Sequence, residues 1–195
     1  MEHGYYVAVV GATGAVGLEL LSILEERKFP VAQLSLLASK RSAGRRLVFA
    51  GQEFPVQELT ENSFQDVHFA LFSVSASVSK AFGPTAARAG AVVIDDSSAF
   101  RMDPAVPLVV TEVNPQALQR HRGIIAHPNC STIPLVMVLN PLHRWARVKR
   151  VIAATYQSVS GAGTRAMEEL DRQTRALIAG EPAEVSVFPH QIAFN

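Results

Sequence analysis

Cysteine is almost missing. The 195 residues hold one, Cys130, which excludes an internal disulfide framework and fits a reducing compartment. Charge of one sign is missing as well. Eighteen Lys and Arg against seventeen Asp and Glu leave a net +1, with no electrostatic footprint for nucleic acid. The longest apolar runs fall far short of the roughly 20 residues that cross a bilayer. Residues 1–6 run directly into a strand, without the basic segment and apolar core of an export signal. No repeat or low-complexity tract stands out, and no metal site is expected. What these absences leave is a compact cytoplasmic protein with neither nucleic acid nor membrane as partner. With 48% apolar residues, the chain can build one full domain and part of a second.

The chemistry that is present centres on His127-Pro128-Asn129-Cys130-Ser131-Thr132-Ile133-Pro134. There an apolar, strand-like run at residues 123–126 gives way to a helix expected over residues 134–143. Ser131 and Thr132 can cap that helix, and Pro134 suits its first turn, where a missing N–H is no loss. Cys130 therefore stands just ahead of a helix N-terminus, where unpaired N–H groups and the macrodipole favour a thiolate. A thiolate is the better nucleophile. The alternative is a buried cysteine acting as a small hydrophobe; the polar neighbours argue against it without removing it.

Residues 5–10 form a β-rich apolar run, followed at once by Gly11-Ala12-Thr13-Gly14-Ala15-Val16-Gly17 and by a helix over residues 18–26 with Leu20, Leu21 and Leu24 at helical spacing. Strand, glycine turn and helix in that order make the phosphate-binding corner of a dinucleotide fold. Its glycines let the backbone approach a pyrophosphate at the helix N-terminus. The spacing is G-x-x-G-x-x-G rather than the strict G-x-G-x-x-G. The second strand, residues 34–38, ends in Ser39-Lys40-Arg41-Ser42-Ala43-Gly44-Arg45-Arg46. Hydroxyls and cations stand where an NAD site usually places an acid, which favours the 2′-phosphate of NADP. Arg41 and Ser42 are the expected contacts; Lys40, Arg45 and Arg46 read as solvated.

A hairpin is expected at residues 47–56 around Gly51, a core strand at 67–73, a helix at 77–89 and a buried strand at 91–94. That strand closes on Asp95-Asp96-Ser97-Ser98-Ala99-Phe100-Arg101, and ligands of open α/β sheets collect at the carboxyl ends of strands. Arg101 can clamp a phosphate or carboxylate with its planar fork, or form a surface salt bridge to Asp96 or Asp103. Asp95 and Asp96 read as turn and cap residues. A further strand over 107–110 and a helix over 115–119 precede the cysteine segment. Beyond it a long strand is expected at 148–159, containing Tyr156-Gln157-Ser158. Then come Ser160-Gly161-Ala162-Gly163 and a helix over 164–178, amphipathic through Met167, Leu170, Leu177 and Ile178. Gln157 can donate and accept hydrogen bonds beside a reacting centre, or serve as a half-buried strand residue.

The fold class is therefore α/β. Residues 1–130 read as a Rossmann-like, doubly wound, mostly parallel sheet that binds NADP. Residues 131–195 read as the start of a second, α+β domain.

Taken together, Gly11 to Gly17, Asp96-Ser-Ser-Ala-Phe-Arg101, Pro128-Asn-Cys-Ser-Thr-Ile133 and Tyr156-Gln-Ser-Val-Ser-Gly-Ala-Gly163 resemble the bacterial-type aspartate-semialdehyde dehydrogenases. The likeness runs over essentially all 195 residues, and over a little more than half of a usual family member. It implies that Cys130 is the acyl-carrying nucleophile, that Gln157 orients the substrate and that Arg101 with Asn129 binds phosphate. It also implies NADP contacts at Gly11, Thr13, Gly14, Ala15, Val16, Arg41, Ser42, Ser160 and Gly161. The implied reaction interconverts aspartyl phosphate and aspartate semialdehyde through a Cys130 thioester, in the biosynthesis of lysine, threonine and methionine, by a full-length homodimer.

Two departures from the family pattern stand out. Val74-Ser75-Ala76 replaces the glycines usual after Ser73 and could narrow the cofactor groove. None of His3, His68, His121, His127, His143 or His190 matches the family's acid/base motif, which together with an arginine and a glutamate belongs to its C-terminal portion. The 195 residues alone are therefore expected to be inactive, since an acid/base group is itself worth about 10²- to 10⁴-fold. Two alternatives remain. N-acyl-glutamyl-phosphate reductase shares the glycine corner and the cysteine, but its motif has Gly before Cys and Tyr-Pro after. A non-catalytic nucleotide-binding remnant would keep the fold without the chemistry.

Overall fold

Tyr5–Val10 forms the first strand, β1, and its side chains alternate between two cores, as a period of two requires. Val7 and Val9 join Leu21, Leu36, Phe49 and Val56 on one face. Ala8 and Val10 join Leu37, Phe64, Phe72 and Val93 on the other. Both faces are covered, which is why the run is apolar throughout rather than alternating. The computed structural model describes residues 4–195. His3 and the first half of residues 1–6 lie outside the described residues.

The other strands are β2 (Val31–Ala38), β3 (Arg46–Phe49), β4 (Gln52–Glu58), β5 (Phe69–Phe72), β6 (Val92–Asp95) and β7 (Ile124–Ala126). They form one seven-stranded sheet in the order β3-β4-β2-β1-β5-β6-β7. Every pairing is parallel except the β3–β4 hairpin, which turns at Ala50 and Gly51, both with positive φ. Strands β2 and β5 flank β1, so the chain reverses winding direction at β1. Helices α1 (Ala15–Glu26) and α2 (Ala76–Arg88) follow β1 and β5. Gly83 of α2 lies under the Phe100 ring, where an added Cβ would sit 3.2 Å from two ring carbons. That close approach seats the loop after β6 on α2.

Two expected elements are reduced. Residues 107–110 contribute a single parallel bridge, Leu108 to Ala126, and residues 115–120 form a 3-10 rather than an α-helix. The strand expected over residues 148–159 is absent: residues 148–158 form no regular element, and Val151, Ile152 and Tyr156 are exposed. β-branched and aromatic residues suit a strand, but a strand exists only through a partner ladder, and among the described residues none pairs with this stretch.

By backbone contacts the chain divides into residues up to Ile152 and a second unit, Ala153–Asn195. Helix α3 (Thr132–Ala146) closes the first unit and has no buried residue. The second holds a 3-10 turn, Val159–Ala162, and α4 (Thr164–Ile178), whose bounds match the expected helix. Its buried face differs. Met167, Leu170 and Leu177 are half-buried and Ile178 is exposed, whereas Ala166, Glu169 and Gln173 are enclosed. Glu169 accepts hydrogen bonds from the Ser186 N–H (3.3 Å), the Ser186 hydroxyl (3.0 Å) and the Val187 N–H. Gln173 accepts from the N–H groups of Ile192 (2.9 Å) and Ala193 (3.1 Å) and donates to the Glu184 carbonyl (2.9 Å). An irregular strand laid along a helix brings donors that must be satisfied, so the enclosed face is polar. Among the described residues no helix is long and apolar enough to cross a membrane.

Candidate functional site

The glycine corner is built by close backbone approach. Gly11 has φ +88°, and a Cβ there would stand 2.0 Å from the Ser73 carbonyl oxygen. A Cβ on Gly17 would stand 2.2 Å from the Gly11 carbonyl oxygen, so α1 can start this near β1 only with glycine at both places. Gly14 donates to the Gly11 carbonyl (2.9 Å) and stands at the N-cap of α1 without any capping side chain. The first-turn N–H groups of α1, which no helical carbonyl can reach, therefore face the turn. This is the local geometry a pyrophosphate needs. Ala15 and Val16 form that first turn, with Val16 exposed.

A cavity of about 470 Å³ opens beside this corner. Gly11, Thr13 and Gly14 line it from the turn, Ser39 and Lys40 from the end of β2, Glu58 from the end of β4, and Ser73, Val74 and Ser75 from the end of β5. It thus lies at the carboxyl edge of the sheet where the winding reverses, the position at which α/β sheets take ligands. Lys40, read from sequence as solvated, is a lining residue. Arg41 and Ser42 sit just beyond it in the 3-10 turn Lys40–Ser42 and are not among the lining residues. Glu58 was not singled out in the sequence, because only the parallel β2–β4 pairing, Ala38 opposite Glu58, brings it there. Val74 reaches over the corner: its Cγ1 lies 2.9 Å from where a Gly11 Cβ would be.

Two strands along, the loop after β6 and the cysteine segment are tied together. Arg101 donates from Nε to the His127 carbonyl (2.9 Å) and from Nη2 to the Asp96 carbonyl (2.5 Å). The His127 N–H donates to the Asp95 carbonyl (2.8 Å). Arg101 is thus bonded to backbone rather than to the Asp96 or Asp103 carboxylates. The ion pairs among the described residues are Arg46–Glu53 and Arg175–Asp171, both exposed. Among the described residues two of its five guanidinium N–H groups are used, which leaves three for a ligand.

Asn129 organises the turn that carries the cysteine. Its side-chain oxygen accepts from the Ser131 N–H (3.0 Å) and hydroxyl (2.7 Å), and the Cys130 Sγ lies 4.0 Å from it. Its backbone carbonyl accepts from the N–H groups of Thr132 (2.9 Å) and Ile133 (3.3 Å). The expected cap from Ser131 or Thr132 is therefore replaced. Ser131 occupies the N-cap position in a helical conformation and makes no capping bond, Thr132 is already helical, and Asn129 takes the N–H groups that a cap would. Pro134 falls in the first turn as expected. Cys130 is exposed, two residues ahead of α3. It is not the buried small hydrophobe of the alternative reading.

Burial shifts two neighbours of Arg101 toward neutrality. The Asp96 carboxyl is held above its ordinary value by burial, against the lowering pull of the Ser73 hydroxyl and of Arg101. The His127 imidazole is held below its ordinary value by burial and then by the Arg101 charge, with Glu112 opposing. In the second unit, Gln157 lies in the irregular stretch before the 3-10 turn Val159–Ala162, which contains Ser160 and Gly161. The Ser158 hydroxyl accepts from the Ser160 N–H (3.3 Å) and hydroxyl (3.0 Å), and Gly163 follows with φ +90°.

Residues 6–121 match the family model for the semialdehyde dehydrogenase NAD binding domain, and residues 139–195 match the model for the semialdehyde dehydrogenase dimerisation domain. The chain is 55% identical to the aspartate-semialdehyde dehydrogenase of Aquifex aeolicus, over 98% of its own length and 58% of that protein's. Among solved structures it is 48% identical, with a TM-score of 0.92, to the Vibrio cholerae aspartate semialdehyde dehydrogenase II complexed with ASA. That match covers 100% of this chain and 58% of the other. A Candida albicans aspartate semialdehyde dehydrogenase with NADP is 26% identical, with a TM-score of 0.63, over 75% of this chain and 48% of that one. The chain spans about 58% of the length of the curated relatives it matches.

Proposed function

The chain belongs to the semialdehyde dehydrogenase family, and from that premise we propose that the complete protein is a phosphorylating, NADP-dependent aspartate-semialdehyde dehydrogenase. In this reading it is a cytoplasmic homodimer of aspartate-derived amino-acid biosynthesis, supplying lysine, threonine and methionine. Residues 1–130 hold the cofactor, and residues 131–195 begin the substrate and dimerisation domain. The observation that carries the reading is the Arg101–His127 bond, which fastens an anion-binding fork to the segment bearing Cys130.

Cys130 attacks the acyl carbon of aspartyl phosphate; a C–S bond forms and phosphate departs with the electrons of the C–O bond. A position just ahead of α3 favours the thiolate needed for this step. Arg101, through its remaining N–H groups, and Asn129 hold the phosphate before and after cleavage. When bound, the nicotinamide supplies the hydride that reduces the thioester. Gln157 orients the substrate carbonyl, and the thiohemiacetal on Cys130 then collapses to the free aldehyde and thiolate. The glycine corner fits the dinucleotide: Gly11, Thr13, Gly14, Ala15 and Val16 meet its pyrophosphate, and the family resemblance adds Ser160 and Gly161 as cofactor contacts. Lys40 with Arg41 and Ser42 supplies the cations and hydroxyl for a 2′-phosphate, and a relative solved with NADP favours that cofactor. Glu58 on the same rim weighs the other way. The 195 residues alone hold the nucleophile without an identified acid/base and turn over far more slowly than a chain that carries one.

The test is NADP- and phosphate-dependent oxidation of aspartate semialdehyde by the complete native protein. Cys130→Ser should lower kcat by at least about 10³-fold, since no neighbouring group replaces a nucleophile. Activity that survives this change refutes the thioester route. In binding titrations NADP should bind more tightly than NAD; equal affinities would end the reading of residues 40–42.

A further inference from the structure

Asp95 is fully enclosed at the end of β6, in register with Phe72 of β5 and Ala126 of β7, and none of the ion pairs among the described residues includes it. A carboxylate without a cation is a poor choice for filling a core. Its two oxygens are instead used in two directions. Oδ1 accepts the hydroxyl of Ser79 on α2 (2.5 Å), and Oδ2 accepts the hydroxyl of Ser97 in the following loop (2.8 Å). Ser97 Oγ in turn accepts the Ala99 N–H (3.0 Å). The Asp95 carbonyl meanwhile receives His127, whose own carbonyl receives Arg101. One residue thus braces α2, the first half of the loop that ends at Arg101, and the segment that leads to Cys130.

We propose that Asp95 is a positioning residue for phosphate: through Ser97 it fixes the loop over residues 96–101 so that Arg101 presents its unused N–H groups beside the cysteine segment. The inference rests on the phosphate role given to Arg101 above. It separates the two hydroxyls that share one carboxylate. Ser79 anchors Asp95 to the scaffold, whereas Ser97 transmits that anchor to the loop.

The experiment compares Ser97→Ala, Ser97→Thr, Ser79→Ala and Arg101→Ala in the complete native protein. Inorganic phosphate is titrated calorimetrically, and the phosphate KM and kcat are measured in the direction of aldehyde oxidation. Ser97→Ala should raise the phosphate Kd and KM by about 3- to 10-fold, the scale of one lost hydrogen bond, with a much smaller change in kcat. Ser97→Thr, which keeps the hydroxyl, should restore most of that loss. Ser79→Ala removes the other buried hydroxyl from the same carboxylate; it should lower Tm yet leave the phosphate Kd close to that of the parent. Equal effects of the two alanine variants on phosphate, or no effect of Ser97→Ala, overturn the positioning role. If Arg101→Ala binds phosphate as the parent does, the phosphate reading of Arg101 fails and this inference falls with it. If only Arg101→Ala weakens binding, the Arg101 reading stands and this inference alone fails.

Discussion

Asp96 and His127 are held by the same guanidinium through their backbone carbonyls, and burial moves both side chains toward the neutral form. For Asp96 the folded pKa lies above the ordinary 3.8. Below that value both states are protonated and the residue contributes nothing. As pH rises through the folded value, the native state is charged the cost of ionising a buried carboxyl. Asp96→Asn keeps the shape and still lets an oxygen accept the Ser73 hydroxyl, so it should raise Tm at pH 7. The gain should shrink to nothing as pH falls below about 3.8. Melting curves of both proteins across that range check it; a variant less stable at pH 7 would mean the charge on Asp96 is used. His127 runs the other way. Its depressed pKa contributes stability above the unfolded value, about 6.5, and that stability is lost as pH falls toward the folded one.

At this scale the sequence displayed which polar residues come together better than how they are held. Cys130, Asn129 and Arg101 are brought to one neighbourhood, as their motifs suggested. Asp95 was read as a turn residue, because nothing in the chain's order says that Ser79, sixteen positions earlier, will close over it. Lys40 looked solvated for the same reason: only the placement of β2 between β1 and β4 turns its loop toward the glycine corner.

Among the elements, α4 depends most plainly on a single side chain. The Glu169 carboxyl is pushed up by its enclosure and pulled down further by the Val187 N–H, the Ser186 N–H and the Ser186 hydroxyl, so its pKa lies below the ordinary 4.5. A carboxyl with a depressed folded pKa stabilises the fold above the unfolded value, and that contribution is lost as pH falls through the folded one. The strap over residues 184–193 should therefore loosen in acid. Glu169→Gln should loosen it at pH 7 already, since an amide oxygen is a weaker acceptor for the same donors. Hydrogen exchange at Ser186 and Val187 reads this directly. Protection should drop in the variant at neutral pH, and the two proteins should converge well below pH 4.5. Protection unchanged in Glu169→Gln would show that Gln173 alone holds the strap.

The extent of α4 was legible because helical periodicity and the glycines at 163 and 180 mark its ends. Its polar enclosed face was not, because the partner is an irregular segment that hydropathy cannot recognise. The parallel core was readable from continuous apolar runs between glycine turns. The strand expected at 148–159 failed because propensity describes a single segment and a strand needs two.

At the scale of the whole molecule, α3 presents an exposed apolar stripe. Val138, Leu142 and Trp145 stand at i, i+4 and i+7, one stripe of the helix, yet Val138 is 62% and Trp145 88% exposed. An apolar stripe of this kind, on a helix that begins two residues after Cys130, is where self-association is to be tested. The dimerisation-domain match begins within it, at residue 139. Trp145 is the chain's sole tryptophan and reports on that surface without labelling. In the 195-residue chain alone, its emission should lie at the solvent-exposed, red end when dilute. It should shift blue as concentration rises and the stripe becomes covered by another copy. Val138→Lys with Leu142→Lys should hold the emission red and the chain monomeric by sedimentation. A longer native chain that covers the stripe with its own residues should instead emit blue at every concentration. Red emission from a monomer at every concentration, in the unsubstituted 195-residue chain, would show that the stripe is too small to drive association.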